Sequence, residues 1–315
     1  MTSSKDLTLG VFLAMVTGAL WGLVFIAPEL TTAFSPFLLV AGRYIAYGTF
    51  ALLLMLPRWR VIRPLLTAKN LAIAFVLSIL GNTLYYSLLS NAILLAGVPI
   101  STLIIGFMPV TVAVVGSMRK GALPLRRFAL SLLLAVVAIV IIAVDAIMAG
   151  ADAVGASPLL GVFLAIAALF SWTAFAVGNS YALEKRAEIS ARDWNLILGV
   201  VTGFQGLVML PFIVQANVFP TEGALWAQFL IVCLTIAFLA SLVANALWNE
   251  VSRLLPLTLI GPLVVFETLF ALLYGFVWEM RLPYPVEYIA IVLMLISVVA
   301  SVRAHRPSRG EAVHS

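Results

Sequence analysis

Apolar residues in this chain run in long blocks, with polar residues gathered between them. The blocks cover 8–27, 36–56, 71–93, 98–118, 128–147, 158–180, 194–214, 225–248, 256–278 and 285–303. A helix of about 20 residues rises about 30 Å, the thickness of a bilayer's hydrocarbon core. The pattern therefore predicts an all-α membrane protein of ten transmembrane helices joined by short loops, with the lipid bilayer as its surroundings. Composition agrees, since 63% of residues are hydrophobic and 10% charged, whereas a soluble domain is about a quarter charged. Little sequence remains for a soluble domain. The first block is not read as a signal peptide, because no small-residue cleavage site follows it.

Charge adds an orientation. Lys5, Arg58, Arg60, Arg63, Lys69, Arg119, Lys120, Arg126, Arg127, Lys185, Arg186, Arg192, Arg253, Arg303, Arg306 and Arg309 all fall on one side of the predicted spans, out of 18 Lys and Arg in the chain. The other side holds only Arg281, and Arg43 lies within the second span. Basic loops stay cytoplasmic, so both termini are expected there. This distribution also accounts for the net charge of +5 without a nucleic-acid partner.

The chain repeats itself. LGVFLA occurs at Leu9 to Ala14 and again at Leu160 to Ala165, and the same offset sets Trp21 opposite Trp172. Further on, Leu54 to Pro57 meets Val208 to Pro211, Gly116 meets Gly275 and Pro124 meets Pro283. The stretch 8–147 thus maps in order onto 158–303, leaving 304–315 as a cytoplasmic tail. Five spans per half is an odd number, so the second half enters the membrane inverted. Inverted halves that rock about a midplane site are common among secondary transporters.

With these features the sequence resembles the drug/metabolite transporter superfamily, in its ten-helix branch with two EamA-type repeats. The resemblance covers nearly the whole chain. It is carried by the ALWG run ending at Gly22, by ALWNEVSRLLP from Ala246 to Pro256, and by FETLFALLYGFVWE from Phe266 to Glu279. Thr268 stands where many members have proline, and Trp278 where many have glycine. Within the superfamily the chain is most similar to YddG-type aromatic amino-acid exporters. The resemblance implies a transporter that exports amino acids, aromatic ones included.

Polar groups inside hydrocarbon are costly and usually face a cavity or a neighbouring helix. Asn82, Tyr86 and Ser90 recur every four residues in the third span, with Tyr85 beside them. Ser241, Asn245, Trp248 and Asn249 form the matching stripe in the eighth, 159 residues on. These stripes are expected either to line a substrate pathway or to bond helices together. Trp21 and Trp172 either wall an aromatic substrate or anchor near the headgroups. Pro109 and Pro262 free the carbonyls of Ile105 and Thr258 for a ligand, or simply bend their helices; Phe107 can add an apolar wall. Glu267, near the middle of the ninth span, can bind an amino group, carry a coupling proton or hold the two halves together. Arg43 can attract a carboxylate, although snorkelling to the outer surface costs less. Glu29, Asp145 and Glu279 sit at span ends, where water is expected to solvate them.

No Walker-type phosphate loop is present, which argues against ATP-driven transport by this chain. Both histidines, His305 and His314, lie in the tail, Cys233 is the only cysteine, and neither GxSxG nor HExxH occurs. An intramembrane enzyme, a metal site and a cofactor are therefore not expected. The small molecule expected as partner is an amino acid. A lipophilic-cation effluxer, using the aromatic residues and Glu267, is the alternative, and a non-transporting scaffold is a third. Short loops offer no docking domain, so a monomer is expected.

Overall fold

The computed structural model describes residues 4–117, 125–149, 157–216, 219–255 and 263–304. Among them all regular structure is helical. We number the main helices α1 (Ser4–Ile26), α2 (Pro36–Met55), α3 (Ala68–Ser78), α4 (Leu84–Ala96), α5 (Val98–Ile105), α6 (Met108–Ser117), α7 (Ala129–Ala149), α8 (Pro158–Glu184), α9 (Ala191–Ala216), α10 (Gly223–Ile236), α11 (Ala244–Leu254), α12 (Val265–Trp278) and α13 (Pro285–Ala304). A π-helical turn, Ile79–Thr83, joins α3 to α4, and another, Ala237–Val243, joins α10 to α11.

Local chemistry explains several boundaries. Ser35 starts α2 by accepting the Leu38 N–H at 3.3 Å, with Pro36 in the first turn, and Thr67 does the same for α3 through Asn70 at 3.2 Å; both supply an acceptor to otherwise orphaned N–H groups. Gly97, at φ +85°, separates α4 from α5, a left-handed conformation that a side chain resists. Between α5 and α6 the helix resets at Gly106 and Phe107, two residues before Pro109, whose ring cannot continue the ladder.

Among the described residues six helical stretches are long and apolar enough to cross a membrane: Asp6–Ile26, Pro36–Leu65, Ala68–Ala96, Pro158–Glu184, Ala191–Ala216 and Gly223–Trp248. The other four expected spans fall on shorter apolar helices, Val98–Val112, Ala129–Asp145, Val265–Trp278 and Pro285–Ala300. The predicted ninth span is described only from residue 263, and Pro262 and Thr258 lie outside the described residues.

The outside is apolar. Phe163, Phe212 and Ile231 are 65%, 70% and 64% exposed, an arrangement that suits a hydrocarbon solvent and would be a large sticky patch in water. Between lipid-facing helices the hydrophobic effect contributes little, and close packing of small residues takes over. The α2–α9 crossing shows this: a Cβ on Gly48 would lie 2.5 Å from the Gly203 Cα. Helix α4 packs on α8, α1 on both α11 and α12, and α7 on α13. Each π turn receives a polar side chain from another helix. Trp21 Nε1 on α1 donates to the Ala240 carbonyl at 3.0 Å, and Ser171 Oγ on α8 donates to the Leu80 carbonyl at 2.7 Å.

Candidate functional site: a central aromatic cavity

A cavity of about 410 Å³ lies at the meeting point of α1, α2, α4, α8, α9, α11, α12 and the two π turns. Glycines set its walls. A Cβ on Gly18 would come within 2.7 Å of the Glu267 backbone N, so the bare glycine lets α12 approach α1 and present Glu267. Gly81, in the first π turn, similarly admits the Phe175 ring, which a Cβ there would meet at 2.3 Å.

Of the residues singled out from the sequence, Trp21, Asn82, Tyr85, Trp172, Ser241, Asn245, Trp248 and Glu267 all line this cavity. The Trp21 and Trp248 rings lie 5.2 Å apart, and Trp172 meets Phe175 edge-on at 6.1 Å. Asn82 Nδ2 donates to Thr202 Oγ1 at 3.1 Å. Other members of the stripes do not line the cavity. Tyr86 is fully buried and its hydroxyl donates to the Val24 carbonyl at 3.1 Å. Ser90 and Phe107 are also buried off the cavity. Pro109 borders a separate space of about 10 Å³, behind Glu267 and beside Ile105, about one water's worth of room. The Asn249 side chain lies outside the described residues.

In an unbroken α-helix residues 82, 86 and 90 share a face. Here Asn82 and Tyr85 line the cavity, while the Tyr86 ring lies one layer back, under the Arg43 guanidinium that does line it.

Of the two placements the sequence allows for Arg43, the structure has the inward one. The side chain does not snorkel outward; it lines the cavity with Tyr44 and Tyr47 and is 8% exposed. Its guanidinium lies over the Tyr86 ring at 4.3 Å and near the Tyr44 ring at 5.3 Å. Two ring faces stabilise the cation by their quadrupoles, an environment that the sequence spacing does not announce. Its Nε and Nη1 groups are buried without a hydrogen-bond partner. Asn179, Asn195, Met108 and Phe175 also line the cavity and are not marked by the sequence pattern.

At another corner of the molecule charges are paired. Arg281 binds Glu279 Oε2 at 2.6 Å and both oxygens of Glu287 at 2.6 and 2.7 Å. Glu279 is thus held in an ion pair, where the sequence suggested simple solvation. Partial burial nevertheless pushes its carboxyl above the ordinary range, against the pull of Arg281, and burial raises Glu29 likewise. The two carboxylates and burial act in opposite senses on Arg281, and the net effect raises it.

These features define a multi-pass α-helical membrane protein with a central polar and aromatic cavity. No family model matches the chain. It is 31% identical over 309 residues to "Inner membrane protein YtfF" of Escherichia coli (strain K12), spanning 94% of this chain and 95% of that protein. The chain belongs to the same family and is a multi-pass inner membrane protein. A solved structure described only as "Crystal structure of protein" shares the fold, with a TM-score of 0.60 and 18% identity over 94% of this chain and 99% of its own.

Proposed function

We propose that the protein is a secondary, non-ATP transporter that exports amino acids, aromatic ones included, by alternating access within the drug/metabolite transporter superfamily. In this reading ten membrane-crossing segments form two inverted five-helix repeats, 8–147 and 158–303, with both termini cytoplasmic. The chain works as a monomer and performs no covalent chemistry. The observation that carries the reading is the cavity itself, to which both halves contribute aromatic and polar side chains. At about 410 Å³ it falls at the small end of the roughly 300–1,000 Å³ typical of ligand sites. The paired π turns add support, since wide turns recur at functional sites. Arg43 weighs against the lipophilic-cation alternative, because a permanent cation in the cavity repels another.

The test is uptake of labelled phenylalanine by liposomes containing the purified protein, with unlabelled amino acids and tetraphenylphosphonium as competitors. Saturable uptake that amino acids suppress and tetraphenylphosphonium does not is the expected result. Flux of the lipophilic cation without flux of any amino acid contradicts the proposal.

A further inference from the structure

We infer that the cavity reads both charged ends of a zwitterionic α-amino acid, Arg43 receiving the carboxylate and Glu267 the ammonium while the indoles receive the side chain. The inference rests on the transporter reading and deepens it. Its first support is the unmet bonding capacity of Arg43. The side chain is more than nine-tenths buried, yet Nε and Nη1 have no partner. The Tyr44 and Tyr86 rings hold the guanidinium but their faces accept no strong hydrogen bond. A guanidinium stays protonated, and a buried charge with open N–H groups is costly. Arg43 lines the cavity without a counter-ion, and a carboxylate placed there supplies one.

The second support is Glu267. It lines the same cavity from α12. Arg43 lines the same cavity, but no ion pair closes between the two. The site therefore presents one cationic and one acidic side chain on the wall of one cavity, with no ion pair between them. A zwitterion inserted between them completes both and adds no net charge to the membrane interior. An amine alone leaves Arg43 unmet, and a carboxylic acid alone leaves Glu267 unmet; either also imports an uncompensated charge. Trp21 and Trp248, 5.2 Å apart, and Trp172 on the facing helix offer apolar surface to a neutral side chain.

Three ligands with the same phenyl ring separate these terms: phenylalanine, phenethylamine, which lacks the carboxylate, and 3-phenylpropionate, which lacks the ammonium. Each analogue is expected to displace labelled phenylalanine from the purified full-length protein at least about tenfold less well than phenylalanine does, the scale of one lost charged hydrogen bond. Arg43→Gln is expected to narrow the gap for phenethylamine only, and Glu267→Gln the gap for 3-phenylpropionate only. Either analogue matching phenylalanine on the wild-type protein overturns the inference while leaving the transporter reading intact. A Glu267→Gln variant that still rejects 3-phenylpropionate as strongly as wild type overturns the role of Glu267. Absence of both phenylalanine binding and phenylalanine flux removes the transporter reading and this inference with it.

Discussion

Two arginines inside the same chain have been given opposite surroundings. Arg281, near an end of the helices, is held by Glu279 and Glu287 through contacts of 2.6–2.7 Å. Glu287 also accepts the Tyr284 N–H at 2.7 Å, so this cluster is complete in itself. Arg43, at the cavity wall, meets tyrosine rings and keeps two donors open. A cation whose task is structural comes with its counter-ions, because an unpaired buried charge costs several kcal/mol, roughly, even after relaxation. A cation on a cavity wall without a counter-ion is what an anionic ligand group would complete.

Substitutions can break this contrast, and the largest effect is expected from Arg43. Arg43→Gln should reduce phenylalanine flux in liposomes to background while lowering stability by no more than about 1–2 kcal/mol, since it removes two ring contacts and no ion pair. Arg281→Gln should show the reverse, flux retained and stability lower by about 3–5 kcal/mol, because Glu287 is left buried with its charge uncompensated. A melting loss in Arg43→Gln as large as that in Arg281→Gln would erase the distinction. Gly48→Ala comes next. Its Cβ would sit 2.5 Å from the Gly203 Cα, backbone that cannot rotate away, so α2 and α9 must part at a cost of about 1–3 kcal/mol, again read by thermal melting.

The smallest effect concerns pH. Burial raises the Glu279 carboxyl above its usual range, so through the ordinary carboxylate range, about pH 4, and somewhat above, the folded protein holds a proton that the unfolded chain releases. Its contribution to stability is therefore present at low pH and lost as pH rises. Glu279→Gln should flatten that slope in a melting series from acid to neutral pH; an unchanged slope would assign it to Glu29 or other groups.

Much of this was legible before any coordinates. Hydrophobic blocks marked the helices, since a bilayer demands about 20 apolar residues per crossing, and the costliness of polar groups in lipid pointed to Asn82, Ser241, Asn245 and Glu267. The repeat drew attention to Trp21 and Trp172 together. What stayed hidden has a physical cause in each case. Tyr86 and Ser90 share a helical face with Asn82 by their spacing, yet both are buried behind the cavity wall, and periodicity carries no mark of which layer a side chain fills. The sequence leaves Arg43 between snorkelling and an inward role, because its partners are aromatic rings on α2 and α4, brought together only by the fold. Gly81 and Phe175 interlock across more than 90 residues of sequence, with 2.3 Å between a notional Cβ and the ring, and nothing local links them.

The most direct test of the cavity as the substrate site uses a single engineered cysteine. Cys233, the only native cysteine, is buried, so Cys233→Ala provides a silent background for Ser241→Cys in the second π turn. With transport by this variant first established in liposomes, the rate of maleimide labelling at position 241 is measured with and without saturating phenylalanine. Slowed labelling, abolished when Arg43→Gln is added, is the expected result; equal rates with and without phenylalanine in a variant that still transports it would place the substrate elsewhere.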